Sequence, residues 1–316
     1  MSNNPSQRAG SLTEETWKWE GLDVSWNQQR SENDSSPSVL LIHGFGACKE
    51  HWRYNQFYLS KSSKCFAIDL IGFGSSSKPR ANLKQELNKK DEFFYCFDSW
   101  AMQISEFCEQ IIQDKVILIG NSIGGVIALN AARQLQDKCQ GVILIDCAQR
   151  TMDDKRLNEQ PYWMRVIRPL LKTIVRQRWL SNSLFRNAAN RTVIKKVLKQ
   201  AYPSGCNVDE ELIELLHSPS QKSGASEAFR GFINLFDDHL APDLLSIINI
   251  PVDLIWGDSD PWEPIEVARN WASSISCIQS LKIIKGAGHC PHDEKPEIVN
   301  PLLLEIIQAA KYASKE

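Results

Sequence analysis

Six short apolar runs set the strongest limit on how this chain can fold: "SVLLIHG" (38–44), "KCFAIDL" (64–70), "KVILIG" (115–120), "GVILIDC" (141–147), "PVDLIWG" (251–257) and "SLKIIKG" (280–286). Their apolar residues run on continuously rather than alternating with polar ones, as strands covered on both faces of a parallel sheet do. Helix-period segments lie between several of them, for example "SWAMQISEFCEQIIQ" (99–113) and "GGVIALNAARQLQ" (124–136). Strands and helices in this alternation predict an α/β fold with a mostly parallel, doubly wound sheet and right-handed crossovers. Ahead of the first run, "TWKWEGLDVSWNQQ" (16–29) alternates more and carries a Gly, which predicts an antiparallel edge hairpin after a flexible segment 1–16.

The rhythm stops between about 148 and 248, where the chain reads as several amphipathic helices, and strand-like runs resume at Pro251. An insertion that returns to the same sheet is the simplest topology. The expected organisation is a core of 17–147 and 249–316 interrupted by a helical cap over 148–248. With 42% hydrophobic residues in 316 there is ample material for one such core.

Charge and cysteines narrow the function classes. A net charge of −2 argues against a general nucleic-acid binder, which needs a basic excess to neutralise phosphates. Nine cysteines are scattered without a C-x-x-C pair, the usage of a reduced intracellular protein, and no Cys/His spacing points to a metal site. The first 16 residues are polar, without the apolar stretch of a secretory signal, and no window approaches the roughly 20 apolar residues of a membrane span. The expectation is a soluble or peripheral intracellular protein.

Within "VILIGNSIGGVIALNA" (116–131) an apolar run breaks into Gly-Asn-Ser-Ile-Gly-Gly and resumes with a helical period. A lone G-x-S-x-G is weak evidence and its bland reading is a Gly-rich turn. Placed between a strand and a helix it predicts a sharp turn that lifts Ser122 out of the sheet as a nucleophile, with Gly120 and Gly124 allowing the backbones to pass. A serine hydroxyl attacks only when a base removes its proton, and the base must be oriented by a carboxylate.

Candidates follow in the chain order Ser, acid, His. After "PVDLIWG" come Asp258 and Asp260; after "SLKIIKG", the string "GAGHCPHDEKPE" presents His289, with His292 a weaker rival. Asp260 is preferred because three residues past Gly257 it can swing over the sheet rim, whereas Asp258 suits capping of the next helix. An oxyanion hole is also required, and the backbone N–H groups of Ile123 and of Phe45 in "LIHGFGA" (41–47) are the candidates. His43 reads as a structural turn residue. The chemistry so assembled needs no cofactor.

At these residues the chain resembles the α/β-hydrolase superfamily from about Trp17 to Leu304. Longer strings, "HGFGACKEHWRYN" (43–55), "DLIGFGSSSKP" (69–79), "GNSIGG" (120–125), "WGDSDPWEP" (256–264) and "GHCPHDEKPEIVNP" (288–301), resemble the pheophytinase and chlorophyll dephytylase group. That resemblance implies hydrolysis of the phytyl ester of a chlorophyll-type pigment, a thylakoid setting, and Ser122, Asp260 and His289 in the triad positions. "GNS-x-GG" also occurs in hydrolases that cleave carbon–carbon bonds of ring-fission products. A general esterase and a ligand receptor on the same fold are further alternatives. Haloalkane dehalogenases and epoxide hydrolases need Asp where Ser122 stands.

From Gln160 to Gln200 there are ten Arg and Lys and no Asp or Glu, interleaved with Trp163, Trp179, Phe185 and other large apolar residues. One reading is a cap that docks on an anionic membrane and admits an oily ester, with Trp163, Trp179, Phe185 and Trp262 touching the substrate. The other is a solvated basic face over an ordinary helical core.

Overall fold

A computed structural model describes residues 12–30, 36–84, 86 and 92–313 of the chain. The strands are β1 (Thr13–Trp19), β2 (Leu22–Gln29), β3 (Ser38–Ile42), β4 (Cys65–Ile68), β5 (Arg80–Ala81), β6 (Glu92–Phe93), β7 (Val116–Asn121), β8 (Cys139–Ile145), β9 (Val252–Gly257) and β10 (Ile278–Ile284). Eight of them form one sheet in the order β1-β2-β4-β3-β7-β8-β9-β10. All pairings from β4 to β10 are parallel, and the β1–β2 hairpin joins the edge by antiparallel pairing of β2 with β4. The flexible segment expected over 1–16 is corrected in part. Thr13 pairs with Gln28 and Thr16 with Ser25, so the edge strand begins earlier; residues 1–11 lie outside the described residues.

The parallel strands β3, β4, β7, β8 and β9 are buried on both faces, which explains their unbroken apolar runs, whereas β10 at the sheet edge is only partly covered. Leu40, Ile42, Leu118, Leu144 and Leu254 point to one side; Val39, Leu41, Ile117, Ile143 and Ile255 point to the other. Before the helical segment come α1 (Gln56–Leu59), α2 (Phe97–Phe107) and α3 (Ile123–Leu135). The first face packs on α2 and α3 through Trp100, Ile104, Val126 and Leu129. After β8 the chain is helical in α4 (Tyr162–Arg176), α5 (Arg178–Ala188), α6 (Arg191–Ala201), α7 (Glu210–Ser220), α8 (Ala225–Ile233) and α9 (Ala241–Leu245), and then returns as β9 directly beside β8.

Three helices follow: α10 (Ile265–Ser274), α11 (Pro291–Glu294) and α12 (Pro296–Ala313). Val299, Leu303 and Ile307 lie on one stripe of α12 and cover the second face of the sheet. Each fully buried side chain of this size is worth about 1.5–3 kcal/mol relative to exposure. The short pair β5–β6 has no counterpart in the sequence reading, since two-residue strands carry no periodicity to detect. Among the described residues no helix is long and apolar enough to cross a membrane.

Candidate active site

Strand β7 ends at Asn121 and α3 begins at Ile123, so Ser122 alone must reverse the chain. It does so with φ 56° and ψ −123°, a conformation that L-residues rarely adopt. The glycines make the reversal possible. A Cβ on Gly120 would lie 2.2 Å from the Gly124 carbonyl oxygen, and one on Gly124 would lie 2.4 Å from the Ile42 carbonyl oxygen. Backbone bonds fix the turn from both sides: Ser122 donates to Ile145 O at 3.0 Å, and its own carbonyl accepts from Gly125 N at 3.0 Å and Ala148 N at 3.1 Å.

Asp260 and His289 arrive from the loops after β9 and β10. These loops touch so closely that a Cβ on Gly257 would meet Gly288 O at 2.2 Å. His289 Nδ1 and Asp260 Oδ2 are 2.7 Å apart, and the Asp260 side chain is fully buried. Its other oxygen, Oδ1, accepts from Trp262 N at 2.8 Å and Glu263 N at 3.2 Å. Burial alone would raise the Asp260 carboxyl, but the hydrogen bond and charge of His289, with the Trp262 amide, hold it below the usual carboxylate range. With Asp260 ionised, the 2.7 Å bond is best satisfied by an Nδ1–H donor, which leaves Nε2 free to take a proton.

The histidine loop is braced by the elbow and by the helical segment. Asn121 Nδ2 donates to the His289 carbonyl at 3.0 Å, and His289 N donates to Ala201 O at 2.9 Å. The Trp262 ring stands edge-on to the imidazole, with 4.9 Å between centroids. The remaining candidates divide. Asp258 does not cap α10; its Oδ1 accepts from Gly286 N at 2.6 Å and pins the turn after β10. His292 is buried against Trp52 and His51, and neither ring nitrogen has a hydrogen-bond partner among the described residues. His43 joins two turns, lying 2.8 Å from Gly44 O through Nδ1 and accepting from Leu70 N through Nε2.

Ser122 and His289 open into an apolar cavity of about 510 Å³. Phe45 and Ile123 also line it, and neither of their backbone amides makes a backbone hydrogen bond among the described residues. Ile123 opens α3, where amide hydrogens have no intrahelical acceptor. Phe185, Val197, Leu198, Phe229, Phe232 and Trp262 supply much of the apolar wall. Two expected contacts are corrected: Trp163 and Trp179 do not line this cavity. Trp163 faces solvent on α4, while Trp179 borders a larger, more polar cavity of about 780 Å³ on the helical segment.

The basic stretch is also less free than its sequence implies. Arg168 and Lys172 pair with Asp154, Arg178 with Glu227, and Arg191 and Lys195 with Glu210. Those acids lie outside residues 160–200, which is why a local count missed them.

Three residues at the site escaped the sequence reading. Asn121 is a buried polar residue at a strand end, and that was its only local signal. Glu263 reaches the cavity with its carboxyl pushed up to about 8, chiefly by burial. Asp146, at the end of "GVILID", is wholly buried and accepts from Gly257 N at 3.0 Å. Among the described residues no group of three or more His, Cys, Asp or Glu side chains is placed to hold a metal ion.

Comparison with known proteins places this chain in a family. The family described as the alpha/beta hydrolase fold matches residues 37–296. A chloroplastic pheophytinase of Arabidopsis thaliana is 26% identical over 89% of this chain, which spans only 63% of that protein's length. The (lyso)-N-acylphosphatidylethanolamine lipase of Homo sapiens is 25% identical over 87% of this chain and 80% of its own. Among solved structures, a serine hydrolase involved in carbazole degradation superposes with a TM-score of 0.73 at 18% identity, covering 95% of this chain and all of that one.

Proposed function

The chain belongs to the α/β hydrolase fold family, and from that premise we propose that it is a serine-dependent carboxylic ester hydrolase acting on lipophilic esters. Ser122 is the nucleophile, His289 its base and Asp260 the carboxylate that orients the base. One observation carries the reading: a buried Asp260 sits 2.7 Å from His289 Nδ1, and that histidine shares an apolar cavity with a serine held in strained geometry.

In the first half-reaction His289 Nε2 takes the Ser122 proton as Oγ attacks the ester carbonyl. Asp260 stabilises the imidazolium that results. The N–H groups of Phe45 and Ile123 receive the oxyanion, one such donor being worth about 2.7–4 kcal/mol in a protease precedent. Collapse breaks the C–O bond, His289 returns the proton to the leaving alcohol, and the acyl group stays on Ser122. Water then repeats the sequence, releasing the acid and restoring the hydroxyl.

For the substrate we favour the phytyl ester of a chlorophyll-type pigment. The 26% likeness to a chloroplastic pheophytinase supports it, and so does a cavity walled by Phe185, Val197, Leu198, Phe229 and Phe232, which suits a flexible hydrocarbon chain. Incubation with pheophytin, chlorophyll and a short-chain p-nitrophenyl ester, followed by pigment chromatography, tests the choice. Release of phytol from a pigment is the expected result. Turnover of the short ester alone would make the protein a general esterase.

Access from a membrane belongs to the same reading. Tyr162, Trp163, Val166 and Leu170 on one stripe of α4 are 79%, 58%, 62% and 62% exposed. Among the described residues Arg165, Arg176, Arg186, Lys196 and Lys199 have no acidic partner. An apolar stripe with basic flanks suits the interface of an anionic bilayer. Flotation with anionic vesicles should carry the protein upward; flotation indifferent to anionic lipid and to salt would discard this contact.

A further inference from the structure

Asp146 occupies a position that a charged side chain could hardly tolerate. It directly follows β8 with φ 43°, is wholly inaccessible to solvent, and spends its own amide on Ile255 O at 3.1 Å. Its Oδ1 accepts from Gly257 N at 3.0 Å, while its Oδ2 is buried without a donor among the described residues. The group within hydrogen-bonding reach of that carboxyl is another carboxyl, that of Asp260. Both side chains are buried and both are acceptors when ionised, and a proton shared between them removes the conflict.

We propose that Asp146 donates its carboxyl proton in a hydrogen bond to Asp260, acting as a positioning residue for the Asp260–His289 pair. This rests on the ester-hydrolase reading for its catalytic consequence, though not for the proton itself. Asp260 already accepts from His289, Trp262 and Glu263. The Asp146 O–H adds a donor from the sheet side, so the carboxylate is held on several sides with its Oδ2 kept on His289.

The surroundings decide which carboxyl keeps the proton. Asp146 is faced by Asp260 and Glu263 from the loop after β9, by Cys290 beside His289, and by Cys147 next in the chain. None of these is a cation. Burial, followed by the Asp260 charge, pushes the Asp146 carboxyl well above the usual carboxylate range, whereas Asp260 has His289 to stabilise its charge. These surroundings favour the proton on Asp146 rather than on Asp260.

Asparagine mimics a protonated aspartate, with an N–H for Asp260 and a carbonyl for the Gly257 amide. Asp146→Asn is expected to retain kcat/KM within about threefold and to keep the pH profile. Asp146→Leu should lower kcat by about tenfold to hundredfold at nearly constant KM, the size of one charge-assisted hydrogen bond. Its acid limb should move to higher pH, because Asp260 then carries its full negative charge toward His289.

The direct readout is the infrared difference spectrum of wild type minus Asp146→Asn at neutral pH, repeated in a Ser122→Ala background. A protonated-carboxyl C=O band that shifts in D2O is expected in both; the subtraction cancels any Glu263 contribution. Absence of that band, with Asp146→Asn as impaired as Asp146→Leu, would mean an ionised Asp146 and would overturn the proposal. Since the band needs neither substrate nor Ser122, its presence or absence is independent of whether the ester-hydrolase reading survives.

Discussion

At the sheet rim a Cβ on Gly124 would collide with the Ile42 carbonyl, and Asp260 is sealed from water; on α4, by contrast, Tyr162, Trp163, Val166 and Leu170 lie largely in solvent. The rim is fixed by backbone contacts that leave no room for another residue type. The helical segment is held by side-chain pairs such as Arg168–Asp154 and Arg178–Glu227, which many sequences could replace. On the proposed function the difference assigns tasks: bond-making to the rigid rim, and the choice of what reaches it to the adaptable helices.

The largest effect that could break this division is at the nucleophile. Ser122→Ala should lower kcat by about a million-fold, as in a protease precedent, with little change in stability; esterase assay beside thermal denaturation measures both. Asp260→Asn should cost about ten-thousand-fold, because the amide favours the wrong imidazole tautomer. Gly124→Ala forces the new methyl against backbone oxygens at 2.4 and 2.7 Å and should destabilise the fold by roughly 1–3 kcal/mol in urea titration.

A smaller effect sharpens the comparison through pH. His292 is buried without side-chain hydrogen bonds among the described residues and its basicity is pushed far down by burial, so the folded state keeps it neutral while the unfolded chain protonates it near pH 6.5. Its folded value is the depressed one, so stability is retained above about 6.5 and lost as pH falls below it, by at most about 1.4 kcal/mol per pH unit. His292→Phe should therefore flatten the fall in Tm between pH 7 and 5 relative to wild type. The smallest effect belongs to the helices. Trp163→Ser with Leu170→Ser should leave hydrolysis of a water-soluble ester within about twofold while reducing flotation with anionic vesicles, because those side chains touch water rather than the core.

These two regions also differ in how far the sequence reveals them. The buried strands were legible because covering both faces forces continuous apolar runs; "KVILIG" became β7 and "PVDLIWG" became β9 within a residue or two. Ser122, Asp260 and His289 could be singled out because the strained turn and the two strand-end loops need specific residues at short spacing, and the structure puts Asp260 2.7 Å from His289 beside a cavity that Ser122 also lines. Asp146 was not: the role proposed for it depends on Asp260, more than a hundred residues away, and locally it reads as a polar residue after a strand. Trp163 and Trp179 misled for the opposite reason. Composition marks an aromatic residue as a plausible substrate contact, but only packing determines which face of α4 or α5 turns inward. Five of the ten basic residues, Arg168, Lys172, Arg178, Arg191 and Lys195, likewise looked free because their acidic partners, Asp154, Glu210, Glu214 and Glu227, lie outside the stretch.

Whether Ser122 is an activated nucleophile is the claim on which the rest depends, and covalent labelling reads it without knowledge of the substrate. Treatment with a fluorophosphonate followed by peptide mass spectrometry should give one adduct, on Ser122, strongly slowed in His289→Ala. An unlabelled protein, or an adduct on another residue with Ser122 untouched, would contradict the account.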